Sequence, residues 1–344
     1  MSDAEAREEQ HRASTARSVP LGSTGSGIKS TLRAISGMEG FGVVAAMLGL
    51  CLFLTLTTDT FMTQNNLVSV LRQSSYIGIM AVGMVFVISM GDIDLSVGAL
   101  LMFTSVTMSV MFREGFHPAL IIPAGILLAT LCGLVNGVLA VALRIPTIII
   151  TLGTLSVYRG LGLFVSGGSP VSGYDQTGWF FSVVGSRFLG IWMSVWAMFA
   201  VAILGWFLFN HTAFGRRVQA IGSNRQAAHY AGIRVNRYRI MVMALMGFIV
   251  GVAAVMLLAF QRGGNPASGP GQELYVIAAT IIGGTALTGG SGSVIGAVVG
   301  AIIVWLIQNG LVLLGIDTAW ATVSTGSVII LAVALDYLIK RRPS

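Results

Sequence analysis

The sequence predicts an all-α polytopic membrane protein, and three observations carry that prediction. Apolar residues make up 55% of the 344-residue chain and charged residues only 10%, whereas soluble domains cover their wet surface with roughly 25% charge. Apolar runs recur at 40–58, 76–90, 95–112, 119–143, 146–166, 191–210, 240–260, 274–288, 294–314 and 319–339, many of them near the ~20 residues that a crossing helix needs. The basic residues collect on one side of these runs. With ten spans and an inner N-terminus, fifteen of the 20 Lys and Arg residues face inward, and only Arg72, Arg113, Arg159, Arg187 and Arg262 face outward. That asymmetry places both termini in the cytoplasm. The net charge of +7 follows from topology and gives no argument for nucleic acid.

Residues 1–38 are polar, mixed in charge and rich in Ser, Gly and Ala, so they read as a disordered cytoplasmic tail. No apolar core precedes about Phe41, which argues against a signal peptide. The stretch Gly22 to Ser30 approaches a phosphate-binding loop, but Ile28 separates Gly27 from Lys29 and no strand precedes it. Residues 39–340 form the transmembrane domain.

Within that domain, Gly91-Asp92-Ile93-Asp94-Leu95-Ser96-Val97-Gly98 interrupts an apolar stretch with two carboxylates. An Asp at mid-bilayer costs about 2.5–3.5 kcal/mol, so these groups must meet a cavity, a partner or an interface. Capping of the next helix by Asp94 or Ser96 is the expected role. A role in the pathway or its gating stays open for Asp92, Asp94 and Ser96. Glycines four apart, at Gly292, Gly296 and Gly300, at Gly133 and Gly137, and at Gly247 and Gly251, predict close helix packing within one subunit or across a dimer. Two outer segments, 167–190 and 261–273, carry Gly-Gly-Ser-Pro and Gly-Gly-Asn-Pro turns. They fit connecting loops, a docking platform or gates. The dipeptides Asn136-Gly137 and Asn309-Gly310 hint at an internal duplication.

Cys51 and Cys132 lie far apart in apolar runs and read as inert buried thiols, with no metal site. His11, His117, His211 and His229 lack ligand spacing, and no nucleophile elbow occurs. The chain offers enzyme chemistry no foothold. Residues 211–239 form an inner loop whose Arg216, Arg217, Arg234, Arg237 and Arg239 suit an anionic membrane surface. Its small residues Ala220, Gly222, Ala227, Ala228, Ala231 and Gly232 instead suit a short helix docked closely into a protein groove.

Gln226-Ala227-Ala228, three residues, then Gly232 resembles the Glu-Ala-Ala-x-x-x-Gly coupling loop of ABC importer permeases, with Gln226 in place of the glutamate. The run Gly91 to Gly98 resembles the hallmark of permeases in the ribose/xylose-type branch of ABC sugar importers. So do Ile145-Pro146-Thr147 with Thr151-Leu152-Gly153, Asn224 to Ile233, and Glu273 to Gly292. Branched-chain amino-acid permeases usually carry Asn-Leu where this chain has Asp94-Leu95. The resemblance implies a permease subunit of the bacterial inner membrane, importing a monosaccharide or related polyol. It implies ATP and Mg on a partner ATPase and no cofactor on this chain. An extracytoplasmic sugar-binding protein and a second permease, identical or paralogous, complete the set. It assigns ATPase coupling to Gly215, Arg216, Ala220, Gly222, Gln226, Ala227, Ala228 and Gly232, and adds Glu273 and Thr285 to the pathway or gating candidates. Val242-Met243-Ala244-Leu245 departs from the broader Ile-x-Leu-Pro pattern, leaving docking details open. The alternative is a ten-helix ion-coupled carrier with Asp92 or Asp94 as proton site, which would not need a docking loop.

Overall fold

The computed structural model describes residues 41–317 and positions 320, 323, 326, 327 and 330. The tail 1–38 and nearly all of the tenth predicted span lie outside the described residues. Among these, eleven α-helices follow in order: α1 Phe41–Thr57, α2 Gln64–Ser89, α3 Val97–Arg113, α4 Pro118–Ala142, α5 Thr147–Ser166, α6 Met193–His211, α7 Ala213–Ser223, α8 Arg225–Tyr230, α9 Val235–Gln261, α10 Gln272–Ile282 and α11 Val294–Leu313. A π-turn at Phe180–Val184 and an antiparallel hairpin, β1 Arg187–Phe188 with β2 Ile191–Trp192, lie between α5 and α6. Six helices (α2, α4, α5, α6, α9 and α11) are long and apolar enough to cross a membrane. Among the described residues nine of the ten predicted spans coincide with a helix, six of them with one of these long helices.

Helix α2 is the hub, packed against α6, α9, α10 and α11. Of the six long helices it is the least apolar and the most buried, with 83% of its most apolar window buried against 17% for α5. The two facts have one cause. A helix surrounded by protein needs small residues more than greasy ones, and α2 carries Ser74, Ser75, Gly78, Gly83 and Ser89. Helices α4, α5 and α6 turn Leu127, Leu131, Leu152, Phe164, Leu204 and Phe207 outward, which suits contact with lipid.

Three boundaries depart from the sequence reading. Helix α2 begins at Gln64 rather than 76, because its first turns carry Asn66, Arg72 and Gln73, which read as loop. Their polarity is met inside the bundle: Asn66 Nδ2 donates to Asn309 Oδ1 at 3.1 Å, and Asn309 Nδ2 returns a bond to Asn66 Oδ1 at 2.7 Å. Helix α9 begins at Val235, inside the expected loop. Helix α10 stops at Ile282 rather than 288, since Gly284 turns left-handed at φ +92 and Thr285 N donates back to Thr280 O at 3.2 Å.

The glycine faces are consumed within this chain. A methyl at Gly133 or Gly247 would collide with the facing backbone, at the Met243 and Ala129 carbonyls respectively; one at Gly137 or Gly251 would press on Ile240 or Ile126. So α4 and α9 touch backbone to backbone. Gly296 and Gly300 meet the Gly283 and Ala279 carbonyls of the α10 end in the same way. Gly292 is not on that helix, which begins at Val294; it lies in the preceding turn against Ser89.

The segment after α9 is more than a surface loop. Gly264 packs on Val106 and Ser109 near the end of α3, while Gly269 packs on Gly98 and Met102 near its start. The chain therefore descends about 11 Å alongside α3 before α10 begins. Val171 and Gly264 exchange backbone hydrogen bonds of 2.8 and 2.9 Å, which ties segments 167–190 and 261–273 to each other.

These contacts give a direct expectation. Gly247→Leu should force α4 and α9 apart and destabilise the protein by about 1–3 kcal/mol or more. Gly153→Leu, at a position with open space, should be silent. Thermal midpoints of the two purified variants in detergent check this.

Candidate functional site

Two chain breaks and two short helices converge at the arginine-rich end of the bundle. The first break is built by a glycine stop. Gly91 adopts φ +80, Gly91 N donates to Ile88 O at 2.8 Å and Asp92 N to Val87 O at 3.1 Å, which closes α2. Asp92 then turns into protein. Its carboxylate receives Arg239 Nε on Oδ2 and Arg239 Nη2 on Oδ1, both at 2.9 Å, and Arg225 Nη2 stands 3.6 Å away. Arg239 Nε also donates to Thr147 Oγ1 at 2.9 Å. The Asp92 and Arg239 side chains are only 6% and 11% exposed. One forked ion pair thus joins the break to the first turns of α5 and α9. Arg239 therefore does not serve the membrane surface; Arg216, Arg217, Arg234 and Arg237 do remain exposed.

Asp94 goes a different way. Ser96 donates to Asp94 Oδ1 from its backbone N at 2.8 Å and from Oγ at 2.6 Å. Ser96 Oγ accepts from Asn136 Nδ2 at 2.9 Å, and the Tyr158 hydroxyl lies 2.9 Å from both Asn136 Oδ1 and the Cys132 carbonyl. Thr151 Oγ1 accepts from Leu95 N at 3.1 Å. The expected cap takes another form: Ser96 occupies the N-cap but makes no capping bond, and Asp94 braces the turn before the helix. The result is a buried polar network in which each side chain is bonded to the next, joining the break to α4 and α5.

The second break, 283–293, docks on the end of α2. Gly290 N donates to Ser89 O at 2.8 Å and Ser89 Oγ donates to Ser291 O at 3.1 Å. Helix α7 wedges against this joint. A methyl on Gly222 would strike the Ser89 carbonyl and Gly290 N, and one on Gly289 would press on Gly222 and Gly91 N. Glycine at 222 is thus what lets α7 touch both breaks.

The expected loop 211–239 is two helices and the start of a third. Thr212 Oγ1 accepts from Gly215 N at 3.3 Å to open α7, and Asn224 Oδ1 accepts from Ala227 N at 3.0 Å to open α8. Asn224 alone separates them. Gly215, Val218 and Ile221 are buried while Arg216 and Arg217 are exposed, so α7 is amphipathic. Of the proposed coupling residues, Arg216, Ala220, Gln226, Ala227 and Gly232 are exposed, whereas Gly215 and Ala228 are buried. Ala228 faces this chain's own core and so lines no outer groove. Gly232 ends α8 at φ +82, with Ile233 N donating to Ala228 O at 3.0 Å; it is needed for backbone conformation rather than clearance. Sequence reading missed Tyr230, an aromatic side chain 84% exposed at the tip of α8. Its place two residues before the terminating glycine was the available signal.

The five pathway or gating candidates fall at three places around the two breaks. Asp92, Asp94 and Ser96 serve the first break, and Thr285, 2% exposed, accepts from Ser293 N at 3.4 Å inside the second. Glu273 opens α10, accepts from Gly271 N at 3.2 Å and abuts Gly98.

The family described as branched-chain amino acid transport system / permease component matches residues 66–333. The ribose import permease of Bacillus subtilis is 36% identical over 300 residues, 87% of this chain and 93% of its own. The chain belongs to the permease family of ABC importers. The L-arabinose ABC transporter permease of Azospirillum brasilense is 37% identical over 295 residues, 86% of each chain. The D-allose transport system permease of Escherichia coli is 35% identical over 291 residues, 84% of this chain and 89% of its own. The chain therefore falls in the sugar-permease branch, with a place in the inner membrane and a non-catalytic role in transport. Family membership implies an ATPase, a binding protein and a second permease as partners. No solved structure matches the chain.

Two expectations follow. Arg239→Met leaves the buried Asp92 carboxylate with only the Arg225 cation at 3.6 Å and should cost up to about 3–5 kcal/mol, whereas Arg239→Met with Asp92→Leu should recover much of it; thermal unfolding of the set decides. Asp94→Asn keeps an acceptor for both Ser96 donors, while Asp94→Leu leaves them buried and unmet at about 1–3 kcal/mol each. Uptake normalised to membrane protein should therefore stay near wild type for Asn and fall for Leu.

Proposed function

We propose that this chain lines the translocation pathway of an ATP-driven importer for a monosaccharide or related polyol. Its arginine-rich end is cytoplasmic and its ten spans leave both termini there. The observation that carries the reading is the clasp of α7, α8 and the start of α9 on the two breaks, through Gly222, through Arg225 and through Arg239, the last two on Asp92. A protein that pushed on α8 would move the ends of α2, α3 and α11 together. The outward surface of α8, formed by Gln226, Ala227, His229 and Tyr230, is the face offered to an ATPase. Each chain has one such face and ABC motors work as a pair, so two permease chains, identical or paralogous, share two ATPases. The opposite end, with its paired outer segments, receives the binding protein. The sugar class rests on the ribose, arabinose and allose permeases that this chain resembles.

Tyr230→Ala and Ala227→Trp should strip the ATPase from the purified complex and lower uptake about tenfold or more, the effect of losing an interface hot spot, without shifting the thermal midpoint. Ala228→Trp should instead unfold the α7–α8 region. Unchanged ATPase retention in both surface variants would overturn the docking face. Uptake that survives ATPase loss but collapses with a protonophore would favour an ion-coupled carrier.

A further inference from the structure

A cavity of about 550 Å³ opens at the arginine-rich end, where α8 gives way to α9. Arg217 of α7 lines it together with Arg234, Arg237, Gly232, Tyr238 and Met241. No Asp or Glu is among the lining residues. All three arginines are exposed, and none has an ion pair among the described residues, whereas Arg225 and Arg239 share Asp92. Tyr238 holds Arg217 in place, since Arg217 Nη1 donates to the Tyr238 hydroxyl at 2.6 Å. The cavity thus gathers three cations that no carboxylate of the described residues neutralises.

Like charges gathered around one space repel, so the occupant that offsets them is an anion. A guanidinium presents its donors as a planar fork that matches the oxygens of a phosphate. The helix that carries two of these arginines indicates the source of that phosphate. Residues seven apart lie on one face of a helix, and Arg234, Met241 and Phe248 keep that spacing from the N-cap of α9 onward. Arg237 stands one turn before Met241. Met241 and Phe248 are 39% and 46% exposed, on a helix long and apolar enough to cross a membrane. One face of α9 therefore passes from guanidinium to exposed hydrocarbon within about 21 Å. A phospholipid presents its phosphate and its acyl chains in that same order. A soluble phosphate would use the arginines and leave the apolar part of the face unmatched.

We infer that this cavity binds the headgroup of one anionic phospholipid, with Arg217, Arg234 and Arg237 on the phosphate and Met241 beside the start of an acyl chain. Assigning that lipid to the inner leaflet rests on the cytoplasmic reading of this end; the binding itself does not. Such a lipid ties α7 to the start of α9 across the segment that follows α8. The test is native mass spectrometry of the full chain in neutral detergent and about 0.5 M ammonium acetate, which screens separated exposed charges. The probes are phosphatidylglycerol, phosphatidylcholine and glycerol 3-phosphate. Arg217→Gln, Arg234→Gln and Arg237→Gln each remove one cation from the cavity. Arg144→Gln removes a cation that is exposed just before Thr147, at the same end, and lines no part of the cavity. Thermal midpoints report folding, and three separate exposed positions keep the test decisive should one variant fold poorly. The wild type should bind one phosphatidylglycerol about tenfold or more tightly than either other probe. Each cavity variant should lose about tenfold of that affinity, the loss of one charge-assisted hydrogen bond, while Arg144→Gln binds as the wild type does. Equal loss in all four variants would mean diffuse attraction to an anionic surface and overturns the site, as does unchanged binding in the cavity variants. Phosphatidylcholine or glycerol 3-phosphate binding as tightly as phosphatidylglycerol overturns the assignment to an anionic lipid.

Discussion

Inside a bilayer no water is at hand to satisfy a free backbone group, so irregular chain can exist there only when protein supplies its partners. The two breaks and the segment before α10 have such a supply. The turn at 90–96 is met by Thr151, Asn136 and Arg239; the turn at 283–293 is met by Ser89. The descending segment leans on α3 and exchanges bonds with Val171. Those demands explain why polar residues on distant helices meet where they do. They also explain why α2, which passes through the middle of all these contacts, is built of small and hydroxylated residues. The breaks are possible because of their neighbours, and the neighbours are polar because of the breaks.

The same constraint gives the arginine-rich end its mechanical character. Short helices lying across a bundle end slide easily if only side-chain tips touch. Here α7 approaches through glycine, so backbone meets backbone at Ser89, and Arg239 forks onto Asp92. The value of that pair lies in specificity more than in stability, since burying two charges offsets much of their attraction. It fixes which turn of α9 stands beside the first break. Around it Arg216, Arg234 and Arg237 stay exposed, placed to meet headgroups or protein.

Much of the architecture was legible in the sequence because apolar runs and charge asymmetry are local signals. The long helices facing lipid, α4, α5 and α6, match their predicted spans within a few residues. Helix α2 was half hidden because Asn66, Arg72 and Gln73 look like loop until Asn309 and Phe260 are seen beside them. Pairings such as Asp92 with Arg239 join residues 147 apart, and no local pattern announces them. The glycine repeats showed that helices would approach closely but not which ones. In the segment 211–239 the terminating Gly232 and small Ala228 were visible, yet their sides were not. A six-residue helix shows its buried face only once packed, and that packing turned Ala228 inward and left Tyr230 outside.

Helix α9 joins the two ends of the molecule in one piece. Its second turn holds Arg239 and its last carries Phe260 and Gln261, about 32 Å apart along a continuous rod. Along its middle, Gly247 and Gly251 seat it on α4 with no side chain between, so that contact has no rotamers through which to yield. Helix α9 is also held by α2 and α3, so a displacement imposed at the Arg239 end would be carried by the whole rod to the segment that follows Gln261 rather than taken up at one joint.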